Sequence, residues 1–388
     1  MTLLRILLLW AAGLGAAGQF AKFSVFFPII EATYPDAGAA SGFLVSVISL
    51  MGVVFGLTAG LLSAHIGMRR LLVWALVLGG TLSMFQALFP PFSAMLALRI
   101  LEGLSHLAIV VVAPTLILQV ASDQWRGAAM TLWGTFFGVA FAIVALAGGA
   151  LLEARGIEAV FGAHGLFMII CALSLHVGLR GVARVRPDGQ LPGVGRLIVQ
   201  HAAVYASARV AAPALGWLFY TFTFVAALTV LPGFIEEEAR LFAVAAMPIA
   251  SIVVSLTLGV LALRFMSAVT LIIVGFVLSI ALVVVIAVAG VSALLLITLL
   301  GALGLVQGAS FAAIGELVKT PTDRANASGA LAQMGNLGNL IGTPVFLLAA
   351  QWNGVPGVAL VMVIAYLGGM GVHALCAWRR ASIDHDIA

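Results

Sequence analysis

The stretch "GLLSAHIGMRR", residues 60–70, decides the fold because it is a short basic turn between two long apolar runs. A turn of the same form, "GVLALRFMSAV", follows at residues 259–269. Gly259 takes the place of Gly60, so the second turn comes 199 residues after the first (259 minus 60). One such pair indicates that the chain repeats a unit of this length.

A second pair of loops supports the same repeat. "SDQWRGAA" at residues 122–129 matches "TDRANASG" at residues 322–329, which places Asp123 and Asp323 200 residues apart. A nearly constant offset at two separate loops is difficult to obtain by chance in so apolar a chain. We therefore predict two parallel repeats, with a binding site near the membrane midplane between them.

The composition places this repeat in a membrane. The chain has 388 residues, of which 63% are hydrophobic and only 8% are charged, whereas a soluble domain is roughly a quarter charged. Apolar runs of about 20 residues recur along the whole length, as expected of membrane-spanning helices. Short alternating segments typical of a β-barrel are absent from the sequence. The predicted fold class is an all-α polytopic membrane protein with twelve transmembrane helices in two pseudo-symmetric six-helix bundles.

The positions of the breakers give approximate bounds for the spans. The first six are predicted near residues 5–30, 40–63, 71–90, 94–120, 127–151 and 160–180. The second six are predicted near residues 212–234, 241–263, 268–289, 291–317, 327–350 and 356–378. The chain is thus expected to form an N-terminal bundle over residues 1–180 and a C-terminal bundle over residues 212–388, joined by a cytoplasmic linker at residues 181–211.

The basic residues predict the orientation. Of the 18 Lys and Arg residues, 14 fall on one side of the predicted spans and only Arg155 and Arg240 fall on the other. Lys22 and Arg99 lie within spans. Because basic loops stay on the cytoplasmic side, both termini are predicted to be cytoplasmic. This distribution also argues against nucleic acid as the reason for the net charge of +4.

The chain resembles the major facilitator superfamily over essentially its full length. That family has a 6+6 repeat and a loop pattern Gly-x-x-x-Asp-Arg/Lys-x-Gly-Arg-Arg/Lys after its second helix. Here Ala64 replaces the aspartate, which in the family is implicated in a cytoplasmic gate. There is a looser likeness to the bacterial cyanate-permease-like branch, and the resemblance implies a location in a bacterial cytoplasmic (inner) membrane. The resemblance implies a gating loop that comprises Gly60, His65, Gly67, Arg69 and Arg70.

The fourth predicted span carries an unusual charged stripe, "LALRILEGLSHL" at residues 96–107. Glu102 and Gly103 follow Arg99 by three and four residues, and His106 follows them by four and three, so the four residues share one helix face. Family members, especially proton-coupled exporters, resemble this pattern with an Arg followed by Gln-Gly. In this chain Glu102 replaces the glutamine and His106 replaces a small residue, so two groups of the stripe can titrate.

The first span adds Gln19 and Lys22 on one face. A rise of about 1.5 Å per residue places Lys22 and Glu102 at similar depth, so we predict that they approach each other, in a cluster with Arg99. Two cations beside one carboxylate suit an anionic substrate, and Glu102 or His106 is a candidate for proton coupling. The alternative is that the charges only neutralise one another and hold helices together.

Polar side chains of the second half are candidates for further substrate contacts. Gln333, Asn336 and Asn339 recur on one face of the eleventh span, where amides either bind a solute or tie helices together. Gln307 and Tyr220 lie on the tenth and seventh spans, which line the cavity in the family. The histidines His164, His176 and His373 are expected in peripheral positions without a role.

These observations predict a secondary transporter that moves a small, anionic organic solute by alternating access with proton coupling. A proton-coupled exporter of amphipathic drugs or metabolites is the alternative, followed by a non-transporting assembly factor or receptor. The sequence shows no zinc-protease motif or ATP-binding loop, so we expect no enzyme activity, no cofactor and no metal. The expected partners are the solute, protons and the lipid bilayer, and the protein is expected to be monomeric.

Overall fold

The computed structural model describes residues 2–182 and 193–387, and the described residues form helices and no strands. The six spans of the first half are α1 (Thr2–Val25), α2 (Pro35–Phe55), α3 (Met68–Gln86), α4 (Phe92–Val120), α5 (Phe136–Arg155) and α6 (Ile157–Gly178). The second half begins with α7 (Ala211–Phe234), α8 (Glu237–Ala262), α9 (Ala268–Ala289) and α10 (Ala293–Leu317). Shorter helices occupy Phe27–Thr33, Ala59–Ile66, Arg126–Gly134 and Val194–Ala206.

The last helical stretch, Pro321–Ile387, provides two spans. Its 67 residues would extend about 100 Å as one straight helix, roughly three times the thickness of the hydrocarbon core. The backbone leaves the helical conformation at Asn353 and Gly354, where Gly354 has a φ of 55°. We therefore number residues 321–352 as α11 and residues 355–387 as α12, which completes the twelve predicted spans.

The observed helices confirm the predicted fold class. The ninth span was predicted at residues 268–289 and is observed at Ala268–Ala289, and most other bounds agree within a few residues. Gly67 explains the turn at residues 60–70, because its φ of 101° is a conformation that other residues rarely adopt. It separates the helix Ala59–Ile66 from the start of α3.

Contacts along the chain divide it into two units. The first comprises Met1–Met51 and Thr58–Leu191, and the second comprises Gly52–Leu57 and Pro192–Ala388. The predicted linker at residues 181–211 contains the helix Val194–Ala206, and its residues 183–192 lie outside the described residues.

In the first unit, α1 packs against α4, α5 and α6, while α3 lies between α4 and α6. Glycines permit the close approach of α4 to α2 and of α3 to α6. A Cβ atom on Gly103 of α4 would lie 2.4 Å from the carbonyl oxygen of Ile48, and one on Gly80 of α3 would lie 2.8 Å from that of Gly165 on α6. Small residues allow backbones in a membrane to pack this closely. The close packing brings α1, α3, α4 and α6 together around a polar interior.

Candidate functional site

A network of polar side chains lies in the interior of the first unit, with Glu102 at its centre. Its Oε1 accepts a hydrogen bond from Lys22 Nζ at 2.8 Å. Its Oε2 accepts one from Gln86 Nε2 at 2.7 Å and pairs with the Arg99 guanidinium. Both oxygens of the carboxylate are therefore bound by side chains from three helices, α1, α3 and α4.

Lys22 extends the network toward α3 and α6. Its Nζ donates to Ser83 Oγ at 2.8 Å and lies 3.5 Å from Nδ1 of His164. The other ring nitrogen of His164, Nε2, is 2.9 Å from the carbonyl oxygen of Gly15. A carbonyl oxygen only accepts, so Nε2 carries the hydrogen and Nδ1 of the neutral ring faces Lys22 as an acceptor.

Arg99 connects α4 to α1 and α2. Its guanidinium donates to the carbonyl oxygens of Leu44 at 2.6 Å, Val45 at 3.1 Å and Gln19 at 2.9 Å. The guanidinium carbon also lies 4.3 Å from the ring centroid of Phe23, a cation–π arrangement. Arg99 thus combines its ion pair with Glu102 with bonds to backbone that only a planar, multi-donor group provides.

The charges of this network are enclosed and unequal. Lys22, Arg99 and Glu102 are each 0% exposed. Two cations beside one carboxylate leave one positive charge in excess when His164 is neutral. The one other ion pair among the described residues, Arg126 with Asp123, is exposed and lies at the end of α4. An enclosed excess charge is energetically expensive at membrane depth.

Two amide oxygens of the network have no hydrogen-bond partner among the described residues. These buried atoms are Oε1 of Gln86 and Oε1 of Gln19. The amide nitrogen of Gln86 binds Glu102, and that of Gln19 donates to Ser105 Oγ at 3.0 Å. The network therefore contains buried acceptors that are available to an added proton donor.

The predicted cluster of Lys22, Glu102 and Arg99 is confirmed as a spatial arrangement. The structure differs in its surroundings, because the three side chains are enclosed within the first unit and do not line an open cavity. The reason is local packing, since α2 and α3 cover Arg99 and Lys22 through the carbonyl oxygens of Leu44 and Val45 and the hydroxyl of Ser83.

His106 lies on the same helix face but outside the network. Its Nδ1 is 3.1 Å from the carbonyl oxygen of Ala16 and therefore carries the hydrogen. Its ring packs edge-on against Phe20, with centroids 5.1 Å apart, and 8% of the residue is exposed. Its Nε2 is then a lone-pair acceptor without a hydrogen-bond partner among the described residues.

Three members of the network were missed in the sequence. His164 was expected to be peripheral, and this prediction is wrong, because its ring binds Gly15 and Ser83 beside Lys22. Ser83 and Gln86 are the other two members that the sequence prediction does not include. The available signal was their spacing of three residues in an apolar span, which places both on one face of α3.

Two of the polar residues predicted in the second half, Gln307 and Asn336, are hydrogen-bonded within the second unit. Gln307 accepts from Ser251 Oγ at 3.0 Å, and the amide of Asn336 donates to its own helix at the carbonyl oxygen of Ala332. The amide oxygen of Asn339 is buried without a partner among the described residues. Tyr220 is buried in an aromatic stack, with its ring centroid 4.4 Å from that of Trp217.

Gln333 is bound by a tyrosine outside the spans. The hydroxyl of Tyr205, in the helix Val194–Ala206, donates to Oε1 of Gln333 at 2.7 Å. Burial raises the pKa of Tyr205 to about 12, so this hydroxyl keeps its proton and remains a donor at neutral pH. This hydrogen bond joins Gln333 of α11 to the helix Val194–Ala206.

The loop that resembles the family's gating pattern is held at one end by a hydrogen bond. Arg69 donates to the carbonyl oxygen of His176 at 2.6 Å, which joins the start of α3 to the end of α6. Arg70 is exposed, and a Cβ atom on Gly60 would meet no other atom within 4 Å. His65 is half-buried.

The spans and the enclosed ionic network define a class of protein, a polytopic membrane protein with charged groups at membrane depth. The sequence model of the Major Facilitator Superfamily matches residues 9–241, which is more than half of the chain. The protein belongs to the major facilitator superfamily.

Two individual proteins illustrate the likeness. The inner membrane transport protein YajR of Escherichia coli (strain K12) is 31% identical over 123 residues, which are 32% of this chain and 27% of that relative. The match thus spans about a quarter of the relative's length. A bacterial homologue of the human lysosomal transporter Spinster, solved in an inward-facing and unoccupied conformation, has a TM-score of 0.74 at 16% identity, over 97% of this chain and 96% of that chain. That structure supports the fold.

Proposed function

We propose that this protein is a secondary transporter that moves a small anionic organic solute together with a proton across the bacterial inner membrane by alternating access. The observation that carries the proposal is the enclosed carboxylate of Glu102, bound by Lys22 and Arg99. Membership of the superfamily supports a transporter rather than an enzyme. The negative charge of the solute and its coupling to a proton are proposed from the net charge of this network.

The charge of the network favours one anion with one proton. In the enclosed state, Lys22, Arg99 and Glu102 sum to one positive charge. If Glu102 takes up a proton and a solute carboxylate pairs with the two cations in its place, the sum is again one positive charge. The exchange therefore avoids an additional unpaired charge at membrane depth, which would cost several kcal/mol. Protonation of Glu102 alone would leave two cations unpaired.

Gln86 supports Glu102 as the residue that takes up the proton. Its amide nitrogen now donates to the carboxylate, and its amide oxygen is buried without a partner among the described residues. A protonated carboxyl needs an acceptor, and a half-turn of the Gln86 amide supplies one. The same side chain therefore stabilises both protonation states of Glu102.

The other predicted residues receive roles that accord with their positions. His106 lies one turn from Glu102 and offers Nε2 as a second proton acceptor beside the network. In the second unit, Asn339 offers an unused amide oxygen to a solute hydroxyl or amide. Gln19, Tyr220, Gln307, Gln333 and Asn336 complete the set of proposed solute contacts.

The aromatic stack of α7 favours a second candidate, an exporter of amphipathic compounds. Tyr220 stacks on Trp217 at 4.4 Å and on Phe224 at 5.2 Å, and Phe311 of α10 meets Trp217 at 5.3 Å. Flat aromatic surfaces bind the apolar part of such compounds. This candidate predicts proton-driven extrusion of a dye such as ethidium, which the anion transporter does not perform.

Purified protein in sealed vesicles tests the charge balance. A thermal-shift screen of mono- and dicarboxylic acids first selects the acid that stabilises the protein most, since a ligand that binds the native state raises its melting temperature. For a monocarboxylate, we expect uptake to follow an imposed pH gradient and to ignore a potassium–valinomycin potential. Uptake that follows the potential and ignores the pH gradient would refute the proposed balance.

A further inference from the structure

A cavity of about 530 Å³ lies at the end of the first unit that carries the turn at residues 60–70. It is bounded by the start of α3, the ends of α4 and α6, and Val182. Its polar lining consists of Arg69, Arg70, Gln119 and His176. The cavity is separate from the network around Glu102. Gly67, Arg69 and Arg70 of its lining belong to the loop that resembles the family's gating pattern, but the transport proposal gives the cavity no ligand.

The lining of this cavity is cationic. It includes two arginines and contains no aspartate or glutamate among the described residues. Arg69 uses one guanidinium nitrogen for the carbonyl oxygen of His176, at 2.6 Å, so the rest of its donors are held at a fixed place on the wall. Arg5 adds a third guanidinium at the same end of α6, where it donates to the carbonyl oxygen of Gly178 at 2.8 Å. Fixed guanidinium groups without a carboxylate partner favour a phosphate-bearing anion.

The exposed face of α3 indicates the source of that phosphate. Arg70, Trp74 and Leu78 are four residues apart and form one stripe. Trp74 is 70% exposed and Leu78 is 37% exposed. The stripe therefore runs from a cation, through an indole that favours the membrane interface, to an apolar side chain. This is the order of polarity in a phospholipid, from head group to acyl chain.

We propose that the cavity binds the head group of an anionic phospholipid, with the phosphodiester at Arg69 and Arg70 and the lipid chains along Trp74 and Leu78. Val73 and Leu116 form an apolar wall of the cavity, and we assign the glycerol backbone to it. Basic pockets between membrane helices bind such head groups in other proteins, and each basic residue near an anionic lipid surface strengthens the attraction about five-fold. A free phosphate ion would use the arginines and leave the apolar stripe unused.

Native mass spectrometry of the full-length protein in detergent tests the proposal. Dioleoyl phosphatidylglycerol, dioleoyl phosphatidylcholine and soluble glycerol 3-phosphate are added in separate titrations. We expect phosphatidylglycerol to bind with the highest affinity in these titrations. In a thermal-shift measurement, we expect it to raise the melting temperature of the protein. We expect Arg70→Gln to weaken it about five-fold, and the double variant with Arg69→Gln roughly twenty-five-fold.

The matched control is Arg264→Gln, which removes the same charge from the corresponding exposed turn of the second unit and leaves the cavity unchanged. Arg70 is exposed, so its variant folds even if the loss of Arg69 disturbs the end of α6. Equal binding of phosphatidylglycerol and phosphatidylcholine, or unchanged binding to Arg70→Gln, would overturn the proposal. So would binding of glycerol 3-phosphate as tight as that of the lipid, since the site would then be one for a soluble phosphate.

Discussion

At the scale of single residues, the stability of the buried carboxylate of Glu102 depends on its hydrogen-bond and ion-pair partners. Lys22, Arg99 and Gln86 all donate to its two oxygens, and no water-exposed surface remains on it. Removal of one partner from a buried ionic group costs about 3–5 kcal/mol when a charge is left uncompensated. The consequences of a substitution therefore depend on which charge is left behind.

The number of unpaired charges that each substitution leaves predicts an order of stabilities. Lys22→Met leaves Arg99 and Glu102 as a balanced pair, whereas Glu102→Gln leaves two cations without a carboxylate. We expect the melting temperature in detergent to fall in the order wild type, Lys22→Met, Glu102→Gln. The double variant Lys22→Met/Glu102→Gln is expected to melt above Glu102→Gln alone, since it keeps one unpaired cation instead of two.

The reverse order for the two single variants would show that the lysine stabilises the unit mainly by its bonds to Ser83 and His164. If the fall in melting temperature of the double variant equals the sum of the falls of the two single variants, Lys22 and Glu102 act independently. Either result would contradict the charge count on which the proposed exchange depends.

At the scale of helices, close contacts depend on glycine at specific positions. In the second unit, α7 packs against the stretch that forms α11 and α12. A Cβ atom on Gly342 of α11 would lie 2.1 Å from the carbonyl oxygen of Phe222, which is backbone and cannot move aside by itself. A Cβ atom on Gly371 of α12 would meet no other atom within 4 Å.

The two glycines give a matched pair of variants. Gly342→Ala forces α11 away from α7, and overpacking of this kind costs about 1–3 kcal/mol. Gly371→Ala meets nothing and leaves stability unchanged or slightly higher. Melting temperatures of the two proteins in the same detergent check this expectation. Equal melting temperatures would mean that the α7–α11 contact is looser than the structure shows.

The helices also show what the sequence can predict. The apolar length of each span and its glycine or proline breakers were sufficient to predict the twelve helices, because the bilayer fixes their length. Helical spacing was sufficient for the stripe of Arg99 and Glu102. It was not sufficient for Ser83, Gln86 and His164, because which face of α3 or α6 meets Lys22 depends on packing between helices. The close packing of Gly80 on Gly165 has no signature in a single span.

At the scale of the whole molecule, the proposed orientation in the membrane follows from the basic residues. Arg155 and Arg240 are the two that the sequence places on the external side. Single cysteines at Arg155 and at Arg126 test this placement in intact cells, since the two native cysteines, Cys171 and Cys376, are buried. We expect an impermeant maleimide to label Arg155→Cys from outside and to label Arg126→Cys only after the cells are opened. The opposite labelling pattern would invert the proposed topology.

The central claim is that Glu102 couples a proton to the movement of an anion. Its most direct test compares Glu102→Gln with Glu158→Gln, an exposed glutamate near the start of α6, in vesicles that contain the acid selected by thermal shift. We expect Glu102→Gln to lose uptake driven by a pH gradient while it retains exchange of labelled for unlabelled acid, and Glu158→Gln to behave as wild type. Uptake by Glu102→Gln that still follows the pH gradient as in wild type would contradict the claim.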